Sequence, residues 1–387
     1  MMKRLLLSLG VVLGLLLTAC APDPAARTDR ETTEVTEATD PEATEPEATD
    51  PAETGTATEV PAATEETPVT DTETQDATPT DDAGDLADLA MVLPGTIQDA
   101  DYNAVAHEAL QTIAEERGIE TAFSESVAVV DAERVAREYI DSGFGIVAFH
   151  GGQYLTIGLE LAEEFPDTQF IVESSGELDS QPENVWNIGR LFYPGYYVLG
   201  VLAAEATTTG TVAFLGGIDI PDYKAGANAM FEGARSVDPE VELLFTFTGD
   251  QNDAVAGRQA AEALINQGAD VLVLGVNNAI YGVAEAATNA ADPVLVTSLY
   301  TDKRSLAEEL FLTSMIFDFT GTYLEVLDEI AAGTTTGYIE MRPGSGVTLS
   351  EVYNVSDEVR SEVESAFAAV AEGTVEIEPQ ADEVTVP

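Results

Sequence analysis

From residue 86 onward the chain alternates short apolar runs with stretches whose apolar positions recur every three or four residues. The runs at 86–93, 119–123, 145–149, 169–172 and 185–188 have the length of strands. The intervening 104–117, 131–141 and 155–164 carry helical spacing, with Gly118 and Gly143 as stop signals and Asp131 as a capping residue. A longer helix at 195–206 ends near Gly210, and the rhythm restarts. Strands at 211–215, 241–247, 271–274 and 294–297 alternate with helices at 225–236, 253–267 and 281–289. A strand at 311–317, a helix to Ala332, a strand at 338–341 and a helix at 357–371 complete the pattern. Such alternation predicts an α/β fold of parallel βαβ units with right-handed crossovers. Strands as apolar as VLVLG and IVAFHG suit a parallel sheet covered by helices on both faces. Two successive runs of units predict two similar lobes rather than one large sheet. Residues 373–387 read as a loose acidic tail.

The N-terminal pattern is different. Lys3 and Arg4 precede an apolar stretch at 5–17, and Leu17-Thr18-Ala19 leads to Cys20, the single cysteine of the chain. The stretch is short for a membrane span and reads as a secretory signal peptide, residues 1–20. The Leu-Thr-Ala-Cys sequence resembles a bacterial lipobox, which implies cleavage before Cys20 and a diacylglycerol on its sulfur. The alternative is an ordinary signal peptide with an incidental cysteine. Residues 21–85 are nearly devoid of aromatics and rich in Thr, Glu, Asp, Pro and Ala. They cannot bury enough apolar surface to offset ordering entropy, and are expected to form a disordered, extended tether.

Charge narrows the function classes. The 387 residues carry 71 acids against 15 bases, a formal net charge of −56. This opposes binding to nucleic acid, whose affinity comes largely from Lys and Arg on phosphates. It also opposes an electrostatic hold on anionic lipid. One cysteine leaves no disulfide within the chain. The acidity fits salty or acidic surroundings, or a composition bias of the whole genome.

In open α/β sheets ligands bind beyond the carboxyl ends of the strands. The loops there, at 94–103, 150–154, 173–176, 216–223, 248–253, 275–281 and 298–303, are rich in Asp, Asn, Gly and Tyr. That mix suits a polar small molecule and makes Glu173, Asp219 and Asn277 candidate ligand contacts. There is no G-x-S-x-G elbow, phosphate loop or dinucleotide fingerprint. His107 and His150 are the only histidines, which leaves little basis for a metal site. No catalytic residue, metal or cofactor is expected. His150 is either a ligand donor or a structural residue opening the Gly151-Gly152 turn. Either Asp99 and Asp101 are paired acid–base carboxylates or, the favoured reading, Asp101 is a solvent-facing cap of the helix that follows.

The segment Gly95-Thr96-Ile97-Gln98-Asp99-Ala100-Asp101-Tyr102-Asn103 resembles the opening motif of the BMP family (basic membrane protein, Med or PnrA-like lipoproteins). The resemblance continues through HGGQY, EFPDTQFIV, GYYVLGVLAA, VAFLGGIDIP, FEGARSVDPEVE and NDAVAGRQAAEALINQGADVLV, over roughly 88–342. It implies a two-lobed type I periplasmic-binding-protein fold with a three-segment hinge, residues 86–189 with 312–335 forming one lobe and 190–311 with 336–372 the other. It also implies an ABC-importer solute receptor for purine nucleosides. By this resemblance Tyr102 stacks on the base, and Asp99 and Asn103 lie near the ligand, Asn103 alternatively capping the helix. His150-Gly151 matches the family's His-Gly loop, and Asn252-Asp253 its Asn-Asp pair, with Asp253 alternatively a cap. Three positions depart. Gln251 stands where the family has a Phe, Leu299 where it has a ribose-holding Asp, and Phe317 where it has a Lys. Asp302 and Lys303 are near enough in sequence to substitute, while Tyr281, Tyr300 and Phe317 can line a pocket for another flat ligand.

The expected function is therefore an exported, lipid-anchored, monomeric solute receptor on the outer face of the membrane. Its partners are a small molecule, with a nucleoside foremost, and an ABC permease. A ligand sensor signalling through a membrane partner is the first alternative. An exported nucleoside or glycoside hydrolase using Asp99 and Glu173 is the second.

Overall fold

The computed structural model describes residues 86–386. The signal peptide expected at 1–20, its Cys20 and the tether expected at 21–85 lie outside the described residues. The chain begins with β1 (Leu89–Val92), β2 (Thr121–Ser124), β3 (Ile146–Phe149), β4 (Gln169–Ser174) and β5 (Val185–Arg190), all parallel and ordered β2-β1-β3-β4-β5. The crossovers among its first four strands are α1 (Tyr102–Arg117), α2 (Val129–Asp141) and α3 (Leu155–Glu164). β1 and β3 are buried along their whole length, as runs without a polar face require.

The second lobe repeats this plan. β6 (Thr211–Gly216), β7 (Glu242–Phe247), β8 (Val271–Gly275), β9 (Leu295–Tyr300) and β10 (Phe311–Phe317) are parallel in the order β7-β6-β8-β9-β10. α4 (Tyr193–Ala206) leads into it, and α5 (Pro221–Val237), α6 (Ala254–Asn266) and α7 (Ile280–Thr288) are its crossovers. α4 and α5 pack backbone to backbone. A Cβ on Gly200 would lie 2.0 Å from the Met230 carbonyl, and one on Gly233 2.0 Å from that of Tyr197. Only glycine fits such contacts, which explains the two glycines inside otherwise regular helices.

α8 (Phe319–Ala331), β11 (Gly337–Pro343), β12 (Gly346–Leu349) and α9 (Asp357–Ala371) finish the chain. α8 packs on α1, β11 pairs in parallel with β5, and β12 pairs antiparallel with β10. β11 and β12 adjoin, so the two sheets run together as one curled, twelve-stranded ribbon among the described residues. The backbone passes between the lobes at 190–193, 317–319 and 343–346. The fold is α/β, two lobes of mostly parallel sheet with flanking helices, as the resemblance implied.

Several details differ from the sequence reading. β10 is the fifth strand of the second sheet, not part of the first lobe, because it pairs with β9. β11 belongs beside β5 in the first sheet and not with 336–372, since the chain returns there before crossing again. β12 was not anticipated, being only four residues long and starting at the left-handed Gly346, two positions after the left-handed Gly344. β5 runs to Arg190, two residues beyond the apolar stretch. The segment after 373 is not loose. Asn228 Nδ2 donates to the carbonyls of Gln380 (2.7 Å) and Glu383 (2.8 Å), and Thr385 N donates to Asn228 Oδ1 (2.8 Å). Val375, Ile377 and Val384 pack on the core beneath. The acidic residues around them hid these three apolar anchors.

Candidate functional site

The carboxyl ends of both sheets face one another across a cavity of about 310 Å³. The first lobe contributes Pro94, Gly95, Tyr102, Asn103, Gln153 and Arg190, and the crossing segment contributes Phe192. The second lobe contributes Ile218, Ile220, Asp222, Tyr223, Gln251, Asn252, Asn277 and Tyr300. Of the residues singled out from sequence, Tyr102, Asn103, Gln251, Asn252, Asn277 and Tyr300 are therefore in the wall.

Others stand behind it. Asp99 is buried and works as the cap of α1: its carboxylate accepts from the backbone N–H of Asp101 (3.0 Å), Asn103 (3.0 Å) and Ala104 (3.0 Å). It also accepts from Asn103 Nδ2 at 2.7 Å, which turns Asn103 Oδ1 toward Gly95 N at 3.0 Å. This geometry holds the β1–α1 loop in one shape. Asp101, expected as a solvent-facing cap, makes no side-chain cap bond and is fully buried. Asp131, also expected to cap, lies inside the first turn of α2 and pairs with Arg134 at 3.6 Å. Asp253 does cap α6, accepting from Val255 N (2.9 Å) and Ala256 N (3.0 Å).

Glu173 is the centre of a buried polar knot in the first lobe. Its Oε1 lies 2.6 Å from His150 Nδ1, and its Oε2 accepts from the Tyr102 hydroxyl at 2.7 Å. The same Oε2 is 3.2 Å from Arg190 Nη1, and the Tyr323 hydroxyl donates to Oε1 at 3.5 Å. Burial alone would raise this carboxyl, but His150 and Arg190 overcome it and hold the group down at about 2. Burial pushes the Tyr102 hydroxyl well above its ordinary value against the pull of Arg190, so it stays a donor. The Tyr102 ring stacks on His150, with centroids 3.8 Å apart, and the Arg190 guanidinium lies 4.4 Å from its centroid.

The lobes touch on both sides of the cavity. On one side Lys303, buried, reaches across to Asp101, with Thr301 Oγ1 at 2.5 Å and the Ala100 carbonyl at 3.4 Å. Asn277 Nδ2 meets Asp99 Oδ2 at 3.5 Å. Two non-glycine residues with left-handed backbone, Ala100 (φ 57°) and Tyr300 (φ 69°), shape this contact. Burial, the largest influence, pushes Asp101 up to about 7 against the attraction of Lys303. On the other side Ser175 Oγ donates to Asp222 Oδ1 at 2.5 Å.

The remaining candidates sit elsewhere. Phe317 is buried with its ring 5.2 Å from that of Phe192 and 5.5 Å from that of Tyr300, supporting the wall from behind. Gly151, at φ 137°, adjoins Gln153 of the wall without lining the cavity. Asp219 is exposed and pairs with Lys224 at 3.0 Å, and Tyr281 is 46% exposed at the start of α7; the structure brings neither to the cavity. Sequence reasoning missed Arg190, Phe192, Asp222 and Tyr223. The signal for Arg190 was available: a base at a strand's carboxyl end, followed by Phe192-Tyr193. Among the described residues no cluster of three or more His, Cys, Asp or Glu could hold a metal, and no helix is long and apolar enough to cross a membrane.

Comparison with known proteins agrees with this architecture. Residues 87–361 match the family model described as ABC transporter substrate-binding protein PnrA-like. A putative ABC transporter glucose-binding protein of Haloferax volcanii is 28% identical over 289 residues, 72% of this chain and 71% of the relative. A purine-binding protein of Brucella abortus is 25% identical over 261 residues, 66% of this chain and 72% of the relative. The structure of a solute-binding protein of an ABC transporter system from Conexibacter woesei superposes with a TM-score of 0.63 at 24% identity, covering 76% of this chain and 99% of that one.

Proposed function

This chain belongs to the PnrA-like family of ABC transporter substrate-binding proteins, and from that premise we propose that it is the exported, lipid-anchored receptor of an ABC importer for a purine nucleoside. The observation that carries the reading is the cavity itself. It lies between two lobes of matching topology, at the carboxyl ends of both sheets, and is lined by four aromatic rings and five side-chain amides. Rings accept a flat base, and amides offer paired donors and acceptors to its edge and to ribose hydroxyls. The purine-binding relative supports the ligand. Closure of the lobes buries the ligand, and ligand binding drives it only by favouring the closed form. The anchor would be Cys20, with the acidic segment 21–85 as tether and an ABC permease as partner.

A hexose is the second reading, favoured by the Haloferax relative. Melting of the full-length chain in detergent, with and without ligand, separates them. A ligand that binds only the folded state raises the melting temperature by mass action. A rise with inosine, guanosine or adenosine supports the proposal. A rise with glucose alone replaces the nucleoside by a sugar. No rise with any solute, on folded protein, would turn the reading toward a sensor that needs a partner.

A further inference from the structure

Arg190 stands at the end of β5, where the chain leaves the first lobe. Its guanidinium carbon lies 4.4 Å from the ring centroid of Tyr102 and 4.9 Å from that of Phe192, so aromatic packing fixes its plane. It is the one base in the cavity wall among the described residues, because Lys303 is committed to Asp101. Yet two of its three nitrogens are left without a hydrogen-bond acceptor. Nε and Nη1 are buried and make no hydrogen bond, although Nη1 lies 3.2 Å from Glu173 Oε2. That oxygen already accepts from Tyr102, and the other faces His150. A buried donor without an acceptor is costly, and a ligand can remove the cost.

We infer that Arg190 selects the base, and that the base it selects is a 6-oxopurine. The inference rests on the reading of the ligand as a purine nucleoside. A guanidinium offers two-pronged edges, each of which includes Nη2, and these match two neighbouring acceptors in one plane. Guanine and hypoxanthine present such a pair in O6 and N7, whereas adenine replaces O6 by a donor amino group. A carboxylate ligand fits less well. Glu173 is ionised beside Arg190, and Asp222 lines the same cavity, so one guanidinium already faces two acidic groups.

The test is calorimetric titration of the full-length chain in detergent with guanosine, inosine, adenosine and 7-deazaguanosine. Guanosine and inosine should bind about tenfold or more tighter than adenosine, the scale of one bidentate pair. 7-Deazaguanosine, which lacks N7 alone, should lose most of that advantage. Arg190→Lys keeps a cation beside Glu173 and removes the fork, and should bind all of them with similar affinity. The 7-deaza comparison decides the matter on the unaltered protein if the variant does not fold. Equal affinity for adenosine and inosine, or undiminished binding of 7-deazaguanosine, would overturn the role of Arg190 and leave the nucleoside reading standing. Absence of binding by every nucleoside would overturn that reading, and this inference with it.

Discussion

Two buried carboxylates flank the cleft, and they behave in opposite ways. Glu173 lies within one lobe and is met by His150, Arg190, Tyr102 and Tyr323. Asp101 bridges the lobes; Lys303 is its one cation, and its Oδ2 is buried without a partner. Burial opposes the charge in both. Enough partners reverse that effect at Glu173, which is held at about 2, and too few leave Asp101 at about 7. The difference teaches that the charge held within one lobe is fully answered, whereas the one that bridges the two lobes is not.

The sharpest way to break the comparison is to remove the better-satisfied charge. Glu173→Gln keeps the shape but strands Arg190 and His150, and removing one partner of a buried pair typically costs about 3–5 kcal/mol. Urea unfolding should show a loss of that order. A loss below about 1 kcal/mol would mean that the knot is not held by charge. Lys303→Met is expected to cost less, about 1–3 kcal/mol, because Asp101 can take up a proton when its cation is gone. Its distinctive effect is on shape: small-angle scattering should show a larger radius of gyration without ligand. An unchanged radius would remove the latch between the lobes.

The two carboxyls also divide the pH axis. Glu173 is depressed from 4.5 to about 2, so its contribution to stability is present above pH 4.5 and is lost as pH falls toward 2. Asp101 is raised from 3.8 to about 7, so its contribution is present below pH 3.8 and is lost as pH rises through 7. One proton is at stake in each window, which limits either slope to about 1.4 kcal/mol per pH unit. Asp101→Asn should flatten the stability profile between pH 4 and 7 while leaving the acid limb below pH 4.5 in place. If wild type and variant run parallel from pH 4 to 7, Asp101 does not titrate there.

How much of this was legible in the sequence follows from the range of each interaction. Strand and helix rhythm is local, and the doubled βαβ plan could be read from it. The cavity wall was partly legible, because Asn277 lies two residues past the end of β8 and the family resemblance placed Tyr102, Asn103 and Asn252 near the ligand. What escaped depends on contacts distant in the chain. Lys303 meets Asp101 across about two hundred residues, so Asp101 looked like an ordinary cap. Glu173 and Arg190 are seventeen positions apart but side by side on adjacent strands, and nothing in their local pattern announces the pair. The tail looked acidic throughout because Val375, Ile377 and Val384 are too widely spaced to form an apolar run.

The far side of the cleft gives the smallest test, and an informative one. There the lobes meet through Ser175 and Asp222 at 2.5 Å, a hydroxyl donating to a carboxylate near solvent. No buried charge is involved, so Ser175→Ala should cost only about 0.5–1.5 kcal/mol, the net worth of an ordinary hydrogen bond. Because water can replace the hydroxyl, the effect on ligand-free shape should also be slight. If the latch opposite does the holding, Ser175→Ala and Lys303→Met will add in stability, but only the second will expand the molecule. Expansion of both variants to the same extent would mean that closure depends equally on the two rims, and that the orphaned oxygen of Asp101 does not mark the side that opens.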